Sequence, residues 1–104
     1  MIRATYRNEG RTHSLIVLGH AGYNNDGRDI VCAGVSAVTF SLAGWLANHE
    51  KDTSYLYKFM QSGSTTIICE GNEAVNTAFE VAVIGLAQIA KQYPDYMTME
   101  YKSR

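Results

Sequence analysis

A long run of residues without a formal charge constrains the fold of this chain more than any other feature. Residues 30–49, twenty in all, hold no Asp, Glu, Lys or Arg, and about 20 uncharged residues are the length of a membrane-spanning helix. The run contains several small and polar residues, namely Gly34, Ser36, Thr39, Ser41, Gly44 and Asn48. It also lies in mid-chain between strand-like segments. We therefore predict a helix over residues 30–48 that is buried in a protein core rather than in a membrane.

The length and charge of the chain limit its class. A chain of 104 residues corresponds to one domain, residues 1–104, large enough for a single two-layer core. Charged residues make up 18% and apolar residues 46% of the chain, against a usual charged fraction of about 25%. This composition excludes a disordered chain. The net charge of -1 disfavours a general nucleic-acid binder, which usually carries a basic excess, so we expect no direct nucleic-acid partner and no membrane partner.

Alternating apolar and polar residues predict strands on both sides of the uncharged helix. The predicted elements are strands at 2–7 and 12–19, the helix at 30–48, strands at 53–60 and 64–70, a second helix between Asn72 and Pro94, and a strand at 95–101. Asn72 is a good N-cap, and the residue before a proline disfavours helix. This order, β-β-α-β-β-α-β, predicts an α+β fold: a two-layer, mostly antiparallel five-stranded sheet with two helices on one face.

Residue spacing also predicts which side chains form the core. The core-facing stripe of the first helix should hold Val31, Val35, Val38, Leu42, Trp45 and Leu46. Tyr55, Tyr57 and Phe59 share one face of the third strand, where we expect core or substrate-groove packing, although aromatic sheet faces can also stack RNA bases. Cys69 is expected in the core. His13, close to a turn, is expected at the surface.

The cysteine count restricts metal and disulfide chemistry. Cys32 and Cys69 lie 37 positions apart, a pattern that builds neither a disulfide scaffold nor a zinc finger. A zinc site from His20, Cys32, His49 and Cys69 would lack a close-spaced ligand pair. We predict no metal and no cofactor. The N-terminal residues show no signal-peptide pattern, and we expect a cytoplasmic protein, where thiols stay reduced.

One segment, residues 19–36, combines a histidine, an aspartate and a cysteine around a glycine-rich loop. His20 ends a strand, Asp29 caps the first helix, and Cys32 lies in the first helical turn, where the helix N-terminus favours a thiolate. A Cys–His pair supplies a nucleophile and a general acid for a leaving amine. Asp29 either orients the imidazole or only caps the helix. A cysteine that is simply a small buried residue is the alternative reading of Cys32.

Main-chain donors and a flanking serine complete the predicted site. The first-turn amides of Val31, Cys32 and Ala33 lack partners within the helix, and we expect them to be available to an oxyanion. Ser36 lies one turn after Cys32 on the same helix face.

The loop before the helix is longer than an ordinary connection. Residues 19–29 number eleven, against the usual 2–6 or so. We predict that Gly22, Tyr23 and Gly27 belong to a substrate loop that is mobile without substrate. His20 and Cys32 are then expected to lie beyond hydrogen-bond reach until substrate binds.

The motifs GHAGY at residues 19–23 and DIVCAGVSA at residues 29–37 resemble the ribosomal-processing cysteine protease family, often called Prp. The QYPDY sequence at residues 92–96 also fits that family. The resemblance implies that His20 is the catalytic histidine, Cys32 the nucleophile, and Asp29 and Ser36 supporting residues. It implies an enzyme that removes a short N-terminal extension from a large-subunit ribosomal protein, or processes a phage capsid or scaffold protein, by cleaving between an aromatic residue and Ala.

Two other functional classes stay open beside the protease. One is a non-catalytic ribosome- or capsid-associated module that only binds peptide, and the other is a nucleic-acid-binding α+β domain. The scarcity of charges on both helices also predicts an apolar outer surface, and hence a two-fold homodimer with helix surface in its interface. Close approach of two helices there would be permitted by the small residues Ala33, Ala37, Ser41 and Gly44.

Overall fold

The structure, a computed structural model, describes residues 1–24 and 29–103 of the chain. The elements in chain order are β1 (Ile2–Glu9), β2 (Thr12–Leu18), α1 (Ile30–Ala47), a short 3-10 turn (Glu50–Asp52), β3 (Thr53–Gln61), β4 (Ser64–Gly71), α2 (Glu73–Gln92) and β5 (Met97–Ser103). The predicted order β-β-α-β-β-α-β is confirmed. The boundaries differ from the predicted ones by one or two residues, and the 3-10 turn has no counterpart in the prediction.

The five strands form one mixed sheet in the order β3-β4-β2-β1-β5. Both predicted hairpins, β1–β2 and β3–β4, are antiparallel, as is the β2–β4 pair. Only β5 runs parallel to its neighbour, β1, because the α2 crossover returns the chain to the same end of the sheet. Strands β3 and β5 are therefore the two edges of the sheet.

The core lies between one face of the sheet and the two helices. Alternate residues of the strands point towards the helices, with Ile2, Ala4, Leu15, Val17, Ile67, Cys69 and Met97 all buried. On α2, Val75, Phe79, Val83 and Leu86 are buried, and Ala90 and Tyr93 further along the helix are half-buried. The predicted α1 stripe is partly wrong: Val38 and Trp45 are only half-buried, whereas Thr39 and Ala43 are buried. The buried face of α1 is therefore rotated towards Thr39, which satisfies its hydroxyl by donating to the Ser36 carbonyl.

His13 is buried, and its predicted surface position is wrong. The side chain is 1% exposed, since it shares the inner face of β2 with Leu15 and Val17. Its ring stacks on Phe79 at a centroid distance of 4.8 Å, and its Nδ1 is 2.6 Å from the Tyr6 hydroxyl. Burial lowers the pKa of His13 below its ordinary value, so the imidazole is held in its neutral form.

The aromatic stripe on β3 is also placed differently from the prediction. Tyr55, Tyr57 and Phe59 lie on the face of the sheet opposite the helices and are exposed. The prediction of core packing is therefore wrong for all three rings. The reason is that both helices pack on the other face of the sheet, towards which Leu56 and Met60 of β3 point.

An apolar groove runs between the two helices, here called the interhelix groove. Its volume is about 740 Å³, and it is lined by Ala37, Val38, Ser41, Leu42, Trp45, Ala74, Thr77, Ala78, Val81, Ala82 and Gly85. By length and composition alone both helices could cross a membrane, a property that core helices of soluble proteins share. In this fold α1 buries one face against the sheet and α2, while Phe40 on its other side is exposed.

Candidate active site

Cys32 is held in the first turn of α1 by the N-cap residue Asp29. The Asp29 backbone is extended (φ -78°, ψ 101°), and its Oδ1 accepts hydrogen bonds from the amides of Val31 and Cys32 at 3.0 and 2.9 Å. Its second oxygen, Oδ2, accepts from the Tyr23 amide at 3.0 Å. Asp29 is therefore a cap that also ties the preceding loop to the helix. None of these bonds reaches His20.

The charge of Asp29 is stabilised by these donors. Desolvation alone would raise the pKa of this carboxyl group, but hydrogen bonds from the amides of Cys32, Tyr23 and Asn24 and from the Cys32 side chain outweigh it and hold the pKa below its ordinary value. The carboxylate is consequently ionised at neutral pH and sits at the positive end of the α1 dipole. Its hydrogen bonds go to the backbone of the site and to the cysteine side chain rather than to the imidazole.

The predicted oxyanion donors are not available. The Val31 and Cys32 amides donate to Asp29 Oδ1, and the Ala33 amide donates to the Asp29 carbonyl at 3.0 Å. The prediction that these first-turn amides are free is therefore wrong. The same aspartate that caps the helix uses two of them, and the first helical hydrogen bond uses the third.

A different amide points at the cysteine. The Ala21 N–H donates to Cys32 Sγ at 3.3 Å, which places a main-chain donor directly against the nucleophile candidate. The sequence analysis missed this group. The sequence predicts that the GHAGY motif lies close to Cys32. No local sequence pattern indicates which amide of the motif points towards the sulfur.

Residues 19–24 are fixed by contacts on three sides. The Gly19 amide donates to the Gly63 carbonyl at 2.9 Å, and the Tyr23 amide bonds to Asp29. The Tyr23 ring packs edge-on against Tyr93 and Tyr96 at centroid distances of 5.6 and 5.0 Å. The described part of the predicted substrate loop, including Gly22, is thus anchored at both ends.

The rest of that predicted loop cannot be compared with the structure. Gly27, and the stretch of residues 25–28 around it, lie outside the described residues. The mobility predicted for the loop stays a prediction.

His20, Cys32 and Ser36 line one pocket, as expected from the sequence. This pocket, here called the Cys32 pocket, has a volume of about 210 Å³. Its other lining residues are Ile2, Val17, Gly19, Val35, Thr39, Phe40, Met60, Gln61, Ser62, Gly63, Ser64 and Thr65. Much of one wall is thus the β3–β4 hairpin, which the sequence analysis missed. It forms part of the site because the strand order sets β4 beside β2, whose end carries His20.

His20 is exposed and stands against that hairpin wall. A Cβ atom built on Gly63 would lie 2.7 Å from His20 Nε2 and 3.2 Å from Cε1, so the ring occupies the space that a side chain at position 63 would need. Within residues 1–24 and 29–103, no hydrogen bond joins His20 to the Cys32 thiol. The two groups therefore line one pocket without a hydrogen bond between them.

His49 and Cys69, the other two residues considered for a zinc site, do not line this pocket. Cys69 is completely buried, and burial with the nearby Glu70 charge raises the pKa of its thiol to about 11. The His49 ring stacks on Trp45 at 3.8 Å, and its Nδ1 is 2.7 Å from the Trp45 carbonyl near the end of α1. In the part of the chain that the structure describes, no group of three or more His, Cys, Asp or Glu residues could hold a metal ion.

Comparison with known proteins assigns the family. The family model described as cysteine protease Prp matches residues 1–98. The chain belongs to the Prp cysteine protease family. The ribosomal processing cysteine protease Prp of Bacillus subtilis is 33% identical, over 91% of this chain and 92% of that protein. The Prp of Mycoplasma genitalium is 30% identical, over 86% and 88%.

Solved structures share the fold. The crystal structure of SMU.848 from Streptococcus mutans has a TM-score of 0.76 at 27% identity and covers 100% of this chain and 96% of that one. The Prp of S. aureus in complex with a covalently linked product peptide has a TM-score of 0.81 at 22% identity, covering 98% and 100%. The family and fold expected from the GHAGY and DIVCA motifs are both confirmed.

Proposed function

We propose that this Prp family member is an endopeptidase in which Cys32 is the nucleophile and His20 the acid–base partner. The observation that carries the proposal is their joint position on the wall of the Cys32 pocket. The substrate is the N-terminal segment of a large-subunit ribosomal protein, or a phage capsid or scaffold protein with a similar site. Cleavage falls between an aromatic residue and Ala. The genes adjacent to this one distinguish the ribosomal from the phage substrate.

The chemistry follows from the geometry of the pocket. His20 takes the thiol proton, and Cys32 Sγ attacks the peptide carbonyl to form a tetrahedral adduct. His20 returns the proton to the leaving amine, which leaves a thioester on Cys32. Water, deprotonated by His20, then hydrolyses the thioester and frees the thiol. The Ala21 N–H, which bonds to Sγ in the absence of substrate, stabilises the thiolate before attack.

The direct test is substitution of the two reacting residues. Cys32→Ala should abolish cleavage of a peptide with Phe-Phe before Ala, and His20→Ala should nearly abolish it. Circular dichroism should show a retained fold in both variants, because neither side chain belongs to the buried core. Wild-type activity in Cys32→Ala would refute the protease proposal.

Among the described residues no hydrogen bond joins His20 to Cys32, which favours one alternative, a module that binds peptide in the Cys32 pocket without cleaving it. A thiol-specific alkylating reagent separates the two functions. In a protease, Cys32 should react much faster than the buried Cys69, whose raised pKa disfavours its thiolate. Equal, slow labelling of both thiols would support the binding module.

We also propose that the protein acts in the cytoplasm as a two-fold homodimer. The interhelix groove is apolar, and its rim residue Val81 is 66% exposed. Phe40 and Ile84 are also exposed on the helices, and a monomer would leave this surface in water. Sedimentation equilibrium at micromolar concentration should therefore give a dimer mass. A monomer mass without concentration dependence would exclude the dimer.

A further inference from the structure

One edge of the sheet is open beside the Cys32 pocket. Strand β3 is the last strand on its side of the sheet, and among the described residues no strand pairs with its outer edge. At nine residues (Thr53–Gln61) it is also the longest strand. The main-chain groups on that edge can hydrogen-bond to an added extended chain.

The edge of β3 leads into the pocket. Met60 and Gln61, its last two residues, line the Cys32 pocket together with the turn at Ser62 and Gly63. No residue of the opposite edge strand, β5, lines it. A polypeptide whose reacting bond lies at Cys32 can therefore continue along the edge of β3, but not along that of β5.

Strand β3 has few of the features that protect an edge strand. Such edges are usually blunted by charges, proline or β-bulges. Lys58 is the single charged residue in β3, the strand has no proline, and its one register irregularity lies between Thr53 and Tyr55, at the end away from the pocket. Tyr57 and Phe59 are 44% and 40% exposed on its outer face. By contrast, β5 carries Glu100 and Lys102.

We propose that the substrate polypeptide, continuing from the bond at Cys32, binds along the free edge of β3 as an additional β-strand. This inference rests on the proposed function, because it takes the Cys32 pocket as the place of cleavage. Main-chain hydrogen bonds to β3 would supply affinity with little dependence on sequence. The exposed rings of β3 would contact every second side chain of the bound segment.

A scan of N-methylated substrate peptides tests the hydrogen bonds. Each peptide carries one N-methyl group at a different position of the Phe-Phe-Ala peptide, which removes one N–H donor. Every second methylation on one side of the cleaved bond should raise KM by about threefold to tenfold, the effect of losing one main-chain hydrogen bond. The positions between them should change KM by less than about twofold.

Hydrogen exchange on the Cys32→Ala protein provides a readout that needs no cleavage. Alternate amides of β3 should exchange more slowly when the unmethylated peptide is added, while amides of β5 should not change. Tyr57→Ala should raise KM with kcat little changed. Tyr101→Ala, which removes a 56% exposed ring from the other edge strand, is the matched control and should have wild-type KM.

Each outcome decides the inference separately from the proposed function. Cleavage without a two-residue alternation in KM overturns strand addition and leaves the protease intact. Alternate protection of β3 in Cys32→Ala, with no cleavage of the same peptide by the wild-type protein, supports strand addition and overturns the protease. Protection of β3 by a second copy of the protein at raised concentration, with no peptide effect, overturns the inference in favour of edge-to-edge association. A peptide that is neither bound nor cleaved overturns both proposals.

Discussion

Gly63 sets the position of His20, and replacing it with alanine tests that role. Gly63 lies in the β3–β4 turn with φ of 77°, and a Cβ there would meet His20 Nε2 at 2.7 Å. Gly10 provides the control. It lies in the β1–β2 turn, at the end of the β1–β2 hairpin that is away from the pocket. Its φ is 64°, and a Cβ at this position meets nothing within 4 Å. The two variants therefore share backbone strain but differ in contact with the histidine.

The sizes of the two effects follow from these numbers. An alanine in the left-handed region costs roughly 1–2 kcal/mol, so both variants should lose about that much free energy of unfolding. Ordinary contact begins at 3.4 Å, so the His20 ring must retreat by about 0.7 Å in Gly63→Ala. Misplacement of a reacting group by about 1 Å can lower the rate about 100-fold. We expect kcat/KM to fall about tenfold to 100-fold in Gly63→Ala and by less than twofold in Gly10→Ala.

Urea unfolding and peptide cleavage, measured on both variants, are the two assays. The expected result is similar destabilisation with activity lost only in Gly63→Ala. Equal kcat/KM in the two variants, whether both are active or both are inactive, would refute the argument that the β3–β4 turn positions His20. Recovery of Gly63→Ala activity at lowered temperature would point to loss of folded protein through turn strain rather than to the histidine.

Three further predictions concern Asp29, Tyr23 and His13. Asp29→Ala should lower the free energy of unfolding by about 1–2 kcal/mol because it removes the α1 cap, whereas Asp29→Asn should lose less; equal losses in urea unfolding would contradict the capping role. Tyr23→Ala removes two aromatic contacts of about 0.5–1.5 kcal/mol each and should reduce cleavage several-fold, with Tyr23→Phe as the wild-type-like control; equal activity in both would contradict a role of the ring in holding Ala21. The lowered pKa of folded His13 means that the unfolded chain binds a proton first, near pH 6.5, so the free energy of unfolding should fall as pH drops from about 7 to about 5. His13→Phe should flatten that dependence, and an unchanged slope in urea titrations would show that another group causes it.

The elements of the fold are predictable from local patterns, but the roles of single residues are less so. Alternation places His13 on the same face as Leu15 and Val17, so its register indicates burial, whereas its position close to a turn indicates the surface and is misleading. The free first-turn amides were an error of the same kind. Asp29 was recognised as a cap, and a cap consumes the donors that were assigned to an oxyanion. In both cases the information was present in the sequence.

Other features depend on contacts between distant segments and have no local signal. The hairpin wall of the Cys32 pocket exists because β4 pairs with β2, so that Gly63 comes beside Gly19 and His20. The exposure of Tyr57 and Phe59 follows from the helices packing on the other face of the sheet, and alternation within β3 alone cannot decide which of its faces is covered. The pairing of β5 with β1 is likewise set by the α2 crossover rather than by any property of residues 97–103.

The contacts around the site divide it into a fixed part and a part that must move. Cys32 is fixed by the Asp29 cap and by the Ala21 amide, and Asp29 in turn holds Tyr23. His20 has no hydrogen bond to these groups within the described residues and is limited mainly by Gly63. If His20 and Cys32 react as proposed, proton transfer from the thiol requires the imidazole, rather than the sulfur, to move. A substrate chain lying along β3 would pass the turn that holds His20, which gives peptide binding a direct route to completing the catalytic pair.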